Sequence, residues 1–256
     1  MMEKIVDKIV NRLRGKTSSL NFGRMIIVDA CRGFLERLPE ITVPRILDIG
    51  CGHGHDLTNI RNEVASTAEF HGIECCPERI VALHDSGIAV ESIDLEKGAL
   101  PYPDGFFDIV IANQVLEHTK DIFWVTAEVS RVLKPGGLFL VGVPNLASLH
   151  NRFLLLLGIQ PTSIRILGPH IRGFVRGSFV EFVEYGGYFK VIRVYGANFY
   201  PFPPALNKIL EKILPGMAVS SFYEINRTGK IGNFIEVLDE YKFETRYFDG
   251  KNPSKL

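Results

Sequence analysis

The stretch LDIGCGHGHD at residues 47–56 constrains this chain more than any other, because an apolar run ends there in Gly50, Gly52 and Gly54, spaced two apart. A strand ending this way can turn sharply into a helix, and no side chains bar a close neighbour from its backbone. The ligand of such a turn sits at the carboxyl end of a parallel sheet. A dinucleotide fingerprint needs glycine at position 55, where this chain has His55, so the spacing is GxGxG preceded by the acid Asp48. Taken alone, the glycines are equally compatible with a plain strand-to-helix turn.

From Arg45 onward, short apolar runs alternate with helical patterns, the order of a parallel sheet covered on both faces. RILDIG (45–50), AEFHGIE (68–74), IAVESID (88–94), FDIVIAN (107–113) and LFLVGVPN (138–145) read as five successive strands. HDLTNIRNEVA, PERIVALHDSG and TKDIFWVTAEVSRVLK read as helices between them, the last closed by Pro135-Gly136-Gly137. After Asn145 the alternation stops, and an apolar helix with a glycine- and arginine-containing loop runs to about Gly177 as an insertion. SFVEFVEYGG then reads as a helix, YFKVIRVYG as a strand, ALNKILEKIL as an amphipathic helix, and VSSFYEINRT holds a final strand. The expected fold is α/β: a doubly wound, mainly parallel, seven-stranded sheet with N-terminal helices, a helical insertion after strand 5 and a C-terminal extension.

Two further acids add weight to the glycine turn. Glu74 ends the second strand, about 20 residues beyond Gly54, where a carboxylate accepts both hydroxyls of a ribose. Asp94 ends the third and can accept a hydrogen bond from an adenine amino group. Asp48, Glu74 and Asp94 are thus expected to form one acidic rim above the sheet. Such a rim repels phosphates and favours a nucleoside carrying a cationic group; S-adenosylmethionine, with its sulfonium and amino group, fits.

In these residues the chain resembles a class I S-adenosylmethionine-dependent methyltransferase. LDIGCGHG is similar to that family's glycine-rich motif, HGIE to its ribose acid, SIDLEKGALPYPDGFFDIVIANQVLEH to its adenine acid and fourth strand, and RVLKPGG to its approach to the fifth. The resemblance covers residues 45–145 and implies S-adenosylmethionine as cofactor. It places Asp48, Gly50, Gly52 and Gly54 around the methionine part, with Cys51 as a small filler in the loop. Glu74 falls at the ribose, Cys75 beside the adenosine, Asp94 and Leu95 at the adenine, and Asn113 near the transferred methyl group. The implied reaction is methyl transfer by in-line displacement to an unidentified acceptor, a small molecule or a protein side chain. The alternative is a non-catalytic S-adenosylmethionine-binding subunit of the same fold, which turnover would distinguish. One domain is expected over 1–256: an N-terminal helical segment (1–44), a cofactor-binding core (45–145), an acceptor-side insertion with the last strands (146–229) and an extension (230–256).

Methyl transfer mainly requires acceptor, methyl and sulfur in line, and a base matters only where the acceptor must lose a proton. His118 in LEH and His170 in GPHIRGF are the candidate catalytic residues, although Glu117 and His118 can equally hold a helix start. Asn145 and Arg172 are candidate acceptor-binding residues, and Arg172 can equally pair with a surface carboxylate. His53, His55 and Asp56 are metal-type side chains, but both histidines lie where the cofactor is expected, so no metal is expected. The leucines of LASLHNRFLLLLG and the aromatic residues of NFYPFPP and SSFYE either roof an acceptor pocket or meet an oily substrate, or else pack on the core or form a dimer contact, and core packing needs no further assumption.

Bulk properties narrow the remaining classes. Lysine plus arginine, 29, equals aspartate plus glutamate, 29, so no net field draws in a polyanion and no nucleic-acid partner is expected. Cys31, Cys51, Cys75 and Cys76 contain no CxxC pair, which points to a reducing cytoplasm. MMEKIVDKIVNRLRGKTSS reads as an amphipathic helix and lacks the apolar core of a secretory signal. FLLLLGI at 153–159 is far shorter than the about 20 residues of a membrane span, so a soluble protein is expected. Gly15-Lys16-Thr17 resembles the end of a phosphate-binding loop, but Val10 stands where its first glycine belongs. The oligomeric state is left open.

Overall fold

The structure is a computed structural model that describes residues 23–199, 202 and 204–240. The amphipathic helix expected over MMEKIVDKIVNRLRGKTSS lies outside the described residues, as do the tail from 241 and Tyr200, Pro201 and Pro203 of NFYPFPP.

In chain order the elements are α1 (Arg24–Arg37), β1 (Arg45–Ile49), α2 (His55–Glu63), β2 (Glu69–Ile73), α3 (Pro77–His84), β3 (Ala89–Glu91), β4 (Phe107–Asn113), α4 (Ile122–Val132) and β5 (Leu133–Pro144). They continue with α5 (Leu149–Leu156), α6 (Arg176–Glu184), β6 (Phe189–Ala197), α7 (Pro204–Ile213), β7 (Ser220–Arg227) and α8 (Val237–Glu240). The seven strands form one sheet in the order β3-β2-β1-β4-β5-β7-β6. The first five are joined in parallel, and β7 runs antiparallel to both β5 and β6. The order reverses between β1 and β4, and in open α/β sheets that crevice is where ligands bind.

The apolar runs are nearly continuous because both faces are covered, and each strand distributes them by its period of two. Ile46, Ile109, Ile111, Leu138 and Leu140 pack on one face with residues of α1, α2 and α3. Leu47, Ile49, Val110, Ala112, Phe139 and Val141 pack on the other with residues of α4 and α6. Burying each such aliphatic side chain contributes about 1.5–3 kcal/mol, so truncating Ile109 to alanine in this fully covered position should cost about 2–4 kcal/mol.

Two strand boundaries differ from the sequence expectation. β3 holds only Ala89–Glu91, because it is the sheet edge and its last ladder pair is Ile73 with Glu91; Asp94 therefore lies in the loop beyond, not at a strand end. β5 begins at Leu133, ahead of the expected start at Leu138. Its first pair, Leu133 with Phe107, is separated by a register shift from the regular ladder that begins at Leu138 with Ile109. Pro135 lacks an N–H and Gly136 has φ 82°, so the irregular stretch is where the ladder cannot run.

Candidate functional site

All three glycines of the turn after β1 adopt left-handed backbone angles, but for different reasons. A Cβ on Gly50 (φ 68°) would stand 2.7 Å from a methyl of Val115, and one on Gly54 (φ 68°) 2.4 Å from Leu83. A Cβ on Gly52 (φ 57°) would meet nothing within 4 Å. Protein packing thus requires the outer two glycines, while the middle one opens the backbone to an approaching molecule. Cys51 is buried between them, its amide bonded to the Ile73 carbonyl at 3.0 Å, and its burial pushes the thiol pKa up, as suits a filler and not a nucleophile.

Glu74 stands just past β2 and is 5% exposed. One carboxylate oxygen accepts from the Cys75 and Cys76 amides, both at 2.9 Å; the other accepts from the Gly52 amide at 2.9 Å and lies 3.4 Å from the Arg79 guanidinium. Burial alone would raise its pKa, but the two cysteine amides and Arg79 outweigh that and hold it below the ordinary value. Asp94 accepts from the Glu96 amide and pairs with Lys97 at 2.7 Å; the Lys97 contact, then the amide, pulls its pKa down. Leu95 beside it is half-buried against the core.

A second cluster fills the crevice between β1 and β4. Asp48 is buried, and its pKa is raised well above the carboxylate range by burial first and by neighbouring Asp56 second. Asn113, at the end of β4, donates to Asp56 at 2.8 Å, and Arg24 at the start of α1 pairs with Asp56 at 3.3 Å. Sequence reasoning missed Arg24 and Gln114, and weighed Asp56 only as a metal-type side chain. Gln114 has φ 59°, unusual for a residue other than glycine, and forms the corner between β4 and the next turn. Asp56 carried a sequence signal, an acid in the first turn after the glycines; Arg24 and Gln114 carried none.

Beyond the corner, Leu116–His118 forms a single 3-10 turn. Glu117 is 1% exposed, neither of its oxygens has a hydrogen-bond partner, and burial pushes its pKa up to about 7. His118 lies with its ring centroid 4.7 Å from that of His170, so the structure brings together the two histidines singled out in the sequence. Burial lowers the His170 pKa; its hydrogen bond to Ser163 opposes this, and neighbouring His118 lowers it further. Arg172 donates to the Lys120 carbonyl at 3.0 Å, with its Nε buried and unpartnered. Asn145, expected to bind an acceptor, is hydrogen-bonded within the fold. Its amide nitrogen donates to the Gly216 and Ala218 carbonyls, each at 2.9 Å, and its oxygen accepts from Ala147 at 2.9 Å.

The leucine-rich helix corrects the core-packing expectation. Within α5 only Asn151 and Leu154 are buried, and Leu156 is 81% exposed. Phe153 and Leu155 are exposed as well, because a helix of 8 residues docks only one narrow stripe, and Leu157, Ile166 and Leu167 beyond the helix are also exposed. Phe222 and Tyr223 of SSFYE, and Phe199, do pack in the core. His53 and His55 are both exposed. A cavity of about 500 Å³ lies at the opposite, amino-terminal end of β4 and β5, between Asp104, Arg131 and Asn233; it is far from the switch crevice where the glycine turn and the acids converge.

A mainly parallel sheet with an open glycine turn after β1 and a carboxylate after β2 is the layout common to nucleotide-binding α/β folds. Residues 47–141 match the family described as Methyltransferase domain. Over 111 residues the chain is 34% identical to 27-O-demethylrifamycin SV methyltransferase of Amycolatopsis mediterranei, a match covering 41% of this chain and 40% of that protein. Over 137 residues it is 31% identical to a demethylmenaquinone methyltransferase of Thermus thermophilus, covering 52% of this chain and 58% of that one. The matches thus span about half, or less, of the length of these curated relatives. A solved structure described as a SAM-dependent methyltransferase, possible histamine N-methyltransferase, from Thermotoga maritima superposes with a TM-score of 0.56 at 18% identity, covering 90% of this chain and 100% of that one. The chain carries the class I S-adenosylmethionine-dependent methyltransferase fold, and residues 47–141 belong to the methyltransferase domain family.

Proposed function

We propose that this chain, acting as one domain, transfers a methyl group from S-adenosylmethionine to an acceptor with an apolar body and one polar or anionic handle. The observation that carries the reading is the open face of Gly52 beside a crevice lined by two buried acids. Among the described residues, buried Asp48 and Asp56 share that crevice with the Arg24 guanidinium, a setting that calls for a further cation if both acids are to be charged. An α-amino group or a sulfonium meets that requirement, and a phosphate does not.

S-adenosylmethionine supplies a methyl group on positively charged sulfur, already activated for displacement. Asp48, Gly50, Cys51, Gly52 and Gly54 hold the methionine part, with Asp48 countering its charge. Glu74 takes the ribose hydroxyls on the side where exposed Arg79 can swing away, with Cys75 alongside; Asp94 and Leu95 border the adenine. Asn113, anchored by Asp56, closes the methionine end. On the acceptor side, His118 and His170 each have Nδ1 against a main-chain carbonyl, so Nε2 is the atom that takes a proton when the acceptor must lose one. Arg172 has its buried Nε for an anionic handle, and the exposed leucines of α5 supply apolar contact.

Among the described residues, no helix is long and apolar enough to cross a membrane. The test is calorimetry with S-adenosylmethionine and S-adenosylhomocysteine, followed by assay of S-adenosylhomocysteine formed on incubation with cell extract. Heat and turnover are expected. No heat overturns the reading, and heat without turnover in any extract leaves a binding subunit.

A further inference from the structure

We propose that Glu117, His118 and His170 form a binding site for a divalent transition-metal ion of the zinc type. The sequence separates His170 from the other two by about fifty residues, and the fold joins them. Each offers one ligand atom, and these atoms all lie within 4.8 Å of one another. Donors around a tetrahedral zinc ion are roughly 3.3 Å apart, so side-chain rotations of about 1 Å close the set.

Three features mark this as a built site. The first is the tautomer of both rings. His118 Nδ1 lies 3.1 Å from the Pro169 carbonyl and His170 Nδ1 2.9 Å from the Ser163 carbonyl. A carbonyl only accepts, so each Nδ1 carries the proton and each neutral ring keeps a bare lone pair on Nε2. A carbonyl behind the ring is the usual outer support of a metal-bound histidine, because it fixes the ring and strengthens the ligand nitrogen.

The second feature is the carboxylate. Glu117 is 99% buried by its 1% exposure, yet neither oxygen accepts a hydrogen bond from any of the described residues. Glu74, another buried acid near the rim, is fully supplied with donors. An acid left without donors in a closed place is costly unless a cation meets it there. The third is the scaffold. The Ile171 and Arg172 amides both donate to the Glu117 carbonyl, at 2.9 and 3.2 Å, which stitches the His170 loop to the 3-10 turn that carries the other two ligands.

Two imidazoles and one carboxylate select zinc, cobalt or a similar ion over magnesium or calcium, which favour all-oxygen shells. Three protein ligands leave a position open to solvent or to an acceptor oxygen, and His118 is exposed, so an ion has a way in. The lone pairs that can take a proton are the same ones that can hold the ion. Binding of the ion does not depend on methyl transfer, and the test reads it directly.

The full-length chain, stripped with chelator, is titrated with Co²⁺ by its visible ligand-field bands and then with Zn²⁺ in competition. One equivalent per chain is expected, with the strong absorption of a four-coordinate site. Glu117→Gln, His118→Ala and His170→Ala should each weaken binding by about tenfold to a hundredfold or more, whereas the double variant His53→Ala, His55→Ala should change it less than about twofold. His118 is exposed, so its variant remains decisive if a Glu117 substitution fails to fold. Absence of stoichiometric binding tighter than about 10 μM, or binding that survives all three substitutions or is lost with His53 and His55, overturns the proposal.

Discussion

Two buried carboxylates stand just beyond the carboxyl ends of β2 and β4, on either side of β1, and the fold treats them in opposite ways. Glu74 takes three main-chain amides and sits beside Arg79, and its pKa is held low; Glu117 has no donor among the described residues, and burial pushes its pKa up to about 7. The first is organised by the fold and helps to shape the glycine turn. The second is left without a donor among the described residues, and the proposed ion is the group that would meet it.

The comparison breaks most directly if the two acids are exchanged for leucine. Glu74→Leu strands three amides and should cost about 3 kcal/mol in denaturant-measured stability and abolish S-adenosylmethionine binding. In metal-free protein Glu117→Leu should be neutral or stabilising by about 1 kcal/mol. Equal losses in both would refute the contrast. The pH dependence carries the same sign. Because the folded-state pKa of Glu74 is lowered, its stabilisation is present above the unfolded carboxylate value and is lost as pH falls through the folded one; Glu74→Gln should remove that limb of the acid unfolding curve.

The glycine turn sharpens the distinction between groups the fold uses and groups left for a ligand. Gly50→Ala combines a left-handed backbone with a 2.7 Å clash against Val115 and should cost about 3 kcal/mol. Gly52→Ala has only the backbone cost, about 1 kcal/mol, yet should weaken S-adenosylmethionine binding about tenfold or more. Thermal melts and calorimetry on both variants separate the two effects; equal affinity losses with equal stability losses would count against the open cradle.

A smaller effect follows from Asp48. Its pKa is raised in the protein, and a bound cation favours its charged form, so S-adenosylmethionine affinity should weaken as pH falls through that raised value and level off above it. Calorimetry over a pH series checks this, and Asp48→Asn should give a flat, weaker profile. The smallest expected change in stability is at Asp94, exposed and paired with Lys97: Asp94→Asn should stay within about 0.5 kcal/mol in stability while lowering cofactor affinity a few-fold. A large drop in stability there would mean that the loop after β3 is a structural element in its own right.

Much of the fold was legible in the sequence because its signals are local. The runs around Ile46, Ile109 and Leu138 read as strands buried on two faces, and the burial of alternate residues in two clusters agrees. The glycines after β1 and Glu74 after β2 were legible for the same reason, since turn chemistry and strand ends lie within a few residues of one another. Boundaries were less so. Asp94 was assigned to a strand end, but how far β3 runs depends on where its neighbour stops, and β2 leaves it no partner beyond Ile73.

What the sequence determined by itself was therefore the strand and helix succession, the left-handed turn and the presence of acids beside it, all set by period, backbone freedom and short spacing. Tertiary structure alone decided which polar groups the fold uses and which it leaves. Asn145 is tied to carbonyls at 216 and 218, and buried Arg227 is held by the carbonyls of Ser130, Tyr188, Thr228 and Lys230 with no acid involved. Glu117 and its two histidines meet only because the loop carrying His170 folds back onto the turn after β4. Hydrogen-bond satisfaction depends on atoms far apart in the chain, and no local pattern of residue types encodes which distant carbonyl or amide will arrive.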